Sequence, residues 1–384
     1  GNRAKQYERL RQFDKALADY DSAIALEPEN ASRYTARAWF YYNHKKDYNK
    51  SLIDHNKAAE LDPDNSVRYY NLGYVYDEGF KDYEKALGYY EKSLEVDSTN
   101  VNSINSKALI YVEQKKYDLA IKEYERGIAL KEIAPRGAAF CYGNRAKQYE
   151  RLRQFDKALA DYDSAIALEP ENMVRYKNRA DFYENKLKDN KNALADFNKC
   201  VELNPERFLI ERAKFYYRQK DFKNSKKDYN LLVDLDENNP ESYNERGLFL
   251  GLIGEYDKAH QDFEKSISLD TNSRDVYYYR AKIYEKQELS EKQKADLEKT
   301  IQMDPKDPEG YYYLALLYEN QERYYKVISN FKDAIRCLEE KSNYYVSDDN
   351  GEKIPNYKIY LKVAETFKII EEDEDMCEYY EKAL

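Results

Sequence analysis

The sequence predicts an all-α solenoid, a linear stack of antiparallel helix-turn-helix hairpins in place of one central core. Three observations carry this expectation. A register of about 34 residues recurs along nearly all of the 384 positions. Within it, small and aromatic residues fall at i, i+4 and i+7 on two successive stretches, the spacing of one helical face. Composition agrees: 35% of residues are charged, Gly and Pro number only 12 and 9, and 42 tyrosines stand beside 14 Phe and 1 Trp. Such a mixture suits many thin helices with narrow, half-exposed aromatic stripes.

The stretch from Ala139 to Asn172 defines the register. Tyr142, Ala146 and Tyr149 mark one face of a first helix, and Ala158, Tyr162 and Ala165 mark one face of a second. Taken in order, the repeats lie near 1–30, 31–65, 66–100, 101–138, 139–172, 173–205, 206–239, 240–273, 274–307 and 308–341. An inserted loop at 342–356 and a partial hairpin at 357–384 follow. The eighth position of each repeat is small: Ala4, Ala38, Gly73, Ala108, Ala146, Ala180, Ala213, Gly247, Ala281, Ala315 and Ala364. A small side chain there lets two helices approach while the flanking aromatics fill the space around it.

Pro28, Pro63, Pro170, Pro205 and Pro305 lack the N–H that would prolong a helix, so each is expected to end a repeat. Two connections are long. The stretch from Lys131 to Ala139 exceeds its counterparts, and 342–356 holds Asn350-Gly351, a turn suited to closing a small hairpin. Ser290 and Gln293 replace the expected aromatic and small residue, which predicts looser packing of that hairpin.

The recurrence of Tyr142, Ala146, Tyr149, Ala158, Tyr162, Ala165 and Pro170 resembles the tetratricopeptide repeat family over about nine full repeats and two partial ones. The resemblance implies a right-handed superhelix whose first helices line a concave groove that grips an extended peptide or a partner helix. At the sixth position Asn2, Asn71, Asn144 and Asn178 would offer side-chain amides to a partner backbone. Lys5, Tyr70, Lys147 and Arg151 complete that part of the expected groove. Toward the C-terminus, Tyr277 and Tyr311 are expected in the core, with Tyr278, Tyr279, Tyr312, Tyr313 and Leu316 forming an aromatic shelf. Rigid aromatics are favoured anchoring residues in interfaces.

One subclass of the family clamps the terminal carboxylates of heat-shock chaperone tails with Lys and Asn residues. Asn144 and Asn178 match its Asn places, but Lys lies at Lys147 or Lys177 and the following repeat supplies Arg207 and Glu211. A glutamate there repels a carboxylate, so this chain is not expected to be such a clamp.

Catalysis is not expected either. His44, His55 and His260 form no i, i+4 metal pair, and no phosphate loop, dinucleotide fingerprint or nucleophile elbow is present. His55 stands where other repeats carry a core aromatic. Cys141, Cys200, Cys337 and Cys377 are widely spaced and read as small core residues, so neither a metal nor another cofactor is implied. The net charge is −10, and from 342 to 384 eleven acids face five lysines. With no basic stripe, nucleic acid is not an expected partner, and no apolar run reaches the roughly 18 residues of a membrane span. The acidic run Glu371 to Asp375 reads as a solvated turn or as a docking patch for a basic partner.

The functional expectation is a non-catalytic, cytoplasmic scaffold that binds a protein or peptide in its groove. The alternative is the substrate-selecting or regulatory arm of a larger enzyme. Neither end carries a capping helix, so a segment of a longer chain, or self-association through the uncapped ends, is a third expectation. Residues 1–30 recur unchanged at 143–172, and identity then drops to 16 of 33 positions between 31–63 and 173–205. Because Gln154, Asp161 and Ser164, expected to face solvent, are retained together with groove residues, recent copying of DNA explains the identity better than selection for binding.

Overall fold

The computed structural model describes residues 2–340, 345–347, 353–370 and 372–383. Among them lie 22 α-helices, three π-helical turns and one short strand pair. The hairpins run α1 (Asn2–Arg9) and α2 (Phe13–Leu26), α3 (Ala31–Phe40) and α4 (Tyr48–Leu61), α5 (Ser66–Tyr74) and α6 (Tyr83–Val96), then α7 (Val101–Glu113) and α8 (Tyr117–Ile128). Next come α9 (Pro135–Arg151) and α10 (Phe155–Leu168), α11 (Met173–Phe182) and α12 (Asn190–Leu203), α13 (Pro205–Arg218) and α14 (Phe222–Leu235), α15 (Pro240–Leu252) and α16 (Tyr256–Leu269). The last are α17 (Arg274–Lys286) and α18 (Ser290–Met303), α19 (Pro308–Asn320) and α20 (Tyr324–Glu340), α21 (Asn356–Ile369) and α22 (Asp373–Ala383). Two compact units divide the chain, Gly1–Leu203 and Asn204–Leu384.

Local chemistry sets the helix ends. Asn30, Asn65, Asn100, Asn172, Asn204 and Asn239 each cap a first helix, the side-chain oxygen accepting a backbone N–H two or three residues on. This satisfies a donor that the helix itself leaves orphaned. Asp47, Asp82 and Asp221 do the same for second helices. Pro205 begins α13 instead of ending α12, because its fixed φ and missing N–H suit a first helical position. The long connection after α8 is similarly absorbed, since Pro135 opens a 17-residue helix.

The small eighth position is explained by packing. Its alanines are buried, and a Cβ on Gly73 would lie 2.6 Å from the Tyr90 ring. The α18 hairpin packs like its neighbours despite its sequence, with Gln293, Leu297 and Thr300 buried. His55 is a core aromatic, its ring 4.9 Å from Trp39, and burial lowers its pKa to about 3. Cys141, Cys200 and Cys337 are buried as expected, but Cys377 is exposed.

The hairpins at 31–65, 66–100 and 173–205 each hold one extra residue between their helices, which the alignment of 31–63 with 173–205 places after the Lys-Asp pair. The structure takes it up before that pair, as a π-turn closing the first helix at Tyr41–Lys45, Val75–Phe80 and Tyr183–Leu187. Within 342–356, strands β1 (Val346–Ser347) and β2 (Lys353–Ile354) pair antiparallel, Val346 opposite Ile354. The Asn350-Gly351 turn between them lies outside the described residues. The acidic run does so in part: Glu371 is not described, and Asp373 to Asp375 open α22.

Candidate binding face

An ion-pair ladder fixes the relation of the two helices in most hairpins. At the seventh position an arginine from the first helix grips an aspartate of the second, as in Arg3–Asp19, Arg37–Asp54, Arg145–Asp161, Arg179–Asp196, Arg212–Asp228, Arg246–Asp262 and Arg280–Asp296. One edge of the guanidinium is used, with Nε and one terminal nitrogen on the two carboxylate oxygens, so the pair sets orientation as well as distance. Several also reach back to the preceding hairpin: Arg37 to Asp21, Arg179 to Asp163 and Arg246 to Asn230. Lys107 spans Glu91 and Glu123 in the same way.

The candidate binding face follows from which helices lie closest. Within each unit the first helices of successive hairpins touch, α5 with α7, α7 with α9 and α15 with α17, and no two described second helices pack to that extent. The first helices therefore form the tighter layer. Their ninth position holds Lys5, Trp39, Tyr74, Leu109, Lys147 and Leu316.

In the N-terminal unit this layer carries a continuous aromatic row. Trp39 packs edge-on against Tyr42 at 5.5 Å and Tyr74 at 5.5 Å, Tyr42 lies 5.7 Å from Tyr74, and Tyr74 lies 6.3 Å from Tyr70. All four rings are half-buried, and Leu109 on α7 is exposed beside them in the register. Burial, then the neighbouring Tyr74, Glu78 and Tyr48, pushes the Tyr42 phenol well above its ordinary pKa, so that ring is neutral at any physiological pH. Of these residues the sequence reading named only Tyr70. The signal for the others was their place at the ninth position and at the π-turn, where Tyr42 sits.

The remaining expected residues lie in different settings. Asn71 is buried, and Asn144 donates its amide to Asn105 Oδ1 of the preceding repeat at 2.9 Å. The Asn144 amide thus joins two repeats in place of opening to a ligand, and Asn71 is closed off by burial. Asn178 is half-buried, whereas Asn2, Lys5 and Lys147 are exposed. Arg151 is exposed with its guanidinium 5.6 Å above the Tyr117 ring. Lys177 pairs with Asp181 at 2.7 Å.

The C-terminal shelf is turned the other way from expectation. Tyr278, Tyr312 and Tyr313 are buried in one cluster, with Tyr278 5.4 Å from Tyr313 and Tyr312 5.5 Å from Phe331, and Leu316 packs partly buried against it. Tyr277 and Tyr311 are the half-exposed ones, and the Tyr311 hydroxyl donates to Pro305 O. Part of the reason is the chain's own insert. Strand β1 lies on α19 with Val346 fully buried, and Lys353, Ile354, Pro355, Lys358 and Leu361 wall a cleft over Tyr312. Only Tyr279 remains half-buried at a cleft.

Among the described residues no group of three or more His, Cys, Asp or Glu is placed to hold a metal ion. No described helix is long and apolar enough to cross a membrane.

Paired helices, a small eighth position and inter-repeat caps define a repeat protein of helical hairpins. Tetratricopeptide repeat models match residues 2–66, 68–100, 101–133, 141–172, 176–207, 206–239, 240–273, 275–307 and 297–328, so the chain belongs to the tetratricopeptide repeat family and is an all-α solenoid of protein-interaction type. No curated protein matches it. Among solved structures it is similar to yeast Tom70, at 16% identity over 100% of this chain and 90% of that one, with a TM-score of 0.43. It is also similar to the C-terminal part of a repeat-containing protein from Cytophaga hutchinsonii, at 17% identity over 64% and 98%, with a TM-score of 0.42. A third is YrrB, described as having an unusual peptide-binding site, at 20% identity over 53% and 98%, with a TM-score of 0.35.

Proposed function

We propose that the chain is a non-catalytic scaffold whose N-terminal unit binds a peptide or partner segment across the first helices of the repeats at 31–65, 66–100 and 101–138. The observation that carries this reading is the row Trp39, Tyr42, Tyr70 and Tyr74, four half-buried rings in mutual contact on one layer. Folding alone favours hiding such rings. Left half-open, they present large rigid apolar area at low entropic cost, which is what interface anchors require. Their mutual contacts hold each ring in place before a ligand arrives, and the exposed Leu109 extends the apolar strip by one repeat.

Selection of a random dodecapeptide library on the full chain tests this. Recovered peptides should carry apolar or aromatic anchors, and Tyr42→Ala or Tyr74→Ala should weaken them at least about 10-fold, the size of a central interface residue. Peptides that bind both variants as well as the parent would overturn the reading.

A further inference from the structure

In the C-terminal unit the same layer changes character. Between α15 and α17 lies a cleft of about 320 Å³ lined by Asn239, Glu241, Asn244, Glu245, Asp275 and Tyr279, with Asp270 and Ser273 at its edge. Glu241 and Asp275 occupy the second position of successive repeats, Asn244 the fifth, and Glu245 and Tyr279 the sixth. The wall is therefore built by the register and is not a chance meeting of loops.

The carboxylates are only partly answered. Lys214 Nζ lies 3.0 Å from Glu245, and Arg274 lies 3.0 Å from Asp275 while also holding Asp307. Asp270 accepts the Asn272 backbone N–H in a turn. Glu241 is exposed at the mouth. Independently of this charge, Asn244 lines the cleft, is 3% exposed, and its Oδ1 has no hydrogen-bond partner. A buried amide oxygen left unmet is costly, so its place on a residue at a cleft points to a donor supplied from outside. Glu245 is 7% exposed, and its Oε2, though 3.0 Å from Lys214 Nζ, makes no well-aligned hydrogen bond.

We propose that this cleft receives the guanidinium of an arginine side chain carried by a protein or peptide partner. A guanidinium presents several N–H donors in one plane, enough to meet Asn244 Oδ1 and the Glu245 and Glu241 carboxylates together. It also stacks on an aromatic face, which Tyr279 supplies at the cleft wall. The phenol of Tyr279 is held protonated well above its ordinary value, by burial first and then by the charges of Glu245, Asp275 and Glu241, which reports the negative potential there. Lysine offers one compact charge and no plane, and so satisfies fewer of these groups.

The site is separate in place and chemistry from the aromatic row, so the two readings fail independently. Ligand-observed NMR on the full chain, with the peptides Gly-Ser-Gly-X-Gly-Ser-Gly where X is Arg, Lys or citrulline, tests it. The arginine peptide should bind at least about 10-fold tighter than the neutral, equally shaped citrulline peptide, with lysine in between. Glu241→Gln, at the exposed mouth, and Glu245→Gln should each weaken arginine binding, whereas the remote Glu84→Gln should leave it unchanged. Equal binding of arginine and citrulline, or arginine binding untouched by Glu241→Gln, would overturn the site, and equal binding of arginine and lysine would overturn the guanidinium assignment.

Discussion

Arg3–Asp19 and Arg145–Asp161 are the same ion pair in the same thirty residues, set in two surroundings. The Arg3 side chain is 74% exposed, whereas Arg145, with Glu125 of α8 beside it, is 15% exposed. The carboxyls respond in opposite directions. The hydrogen bond from Arg3 holds Asp19 below its ordinary value, and burial raises Asp161 above it against the pull of Arg145. Carboxyl NMR titration of the full chain should therefore find Asp161 protonated to a higher pH than Asp19. The reverse order would mean that the neighbouring hairpin does not govern the pair. This contrast also shows why single side chains were poorly legible in the sequence. Asn71 and Asn144 have the residue type of a groove amide, and Tyr312 that of an anchor, yet an adjacent repeat or the β1–β2 insert covers or engages each.

The hairpin itself was legible in almost every part, because its signals are local. Helical spacing and small eighth positions act within one repeat and do not depend on its neighbours. The extra residue was visible, but its location was not. A π-turn re-aims the last turn of the first helix without breaking it, and only the ladder records it, with 17 residues between Arg37 and Asp54 where Arg145 and Asp161 are 16 apart. The turn inside each hairpin holds a second local feature. Arg11, Lys46, Lys81, Lys115, Arg153, Lys188, Lys220, Glu288 and Glu322 all have positive φ, and only Gly254 is a glycine among these turns. A side chain in this region is disfavoured by about 1–2 kcal/mol, partly offset by the entropy glycine would lose. Glu288→Gly is therefore expected to raise stability by about 0.5–1 kcal/mol and Gly254→Ala to lower it by about 1 kcal/mol, read as shifts in the urea midpoint. Nothing lies within 4 Å of a Cβ at Gly254, so the loss there would be conformational and not steric. A stabilised Gly254→Ala would contradict it.

At the scale of the molecule, successive hairpins within each unit pack on one another, and function is a matter of which side chains the stacking leaves open. The family and the fold were legible because a 34-residue period survives many local exceptions. The candidate binding face was legible only in its layer. Its content emerged once Asn144 was seen to join repeats and the ninth position to face outward, which moves the emphasis from the C-terminal tyrosines to Trp39, Tyr42, Tyr70 and Tyr74. Trp39 is the single tryptophan of the chain and stands in the middle of that row, so it reports on the proposed site directly. Titrating the full chain with a library-selected peptide while following tryptophan fluorescence should give a saturable blue shift whose midpoint equals the binding constant and moves with Tyr74→Ala. Tight binding that leaves the Trp39 emission unaltered would contradict the account.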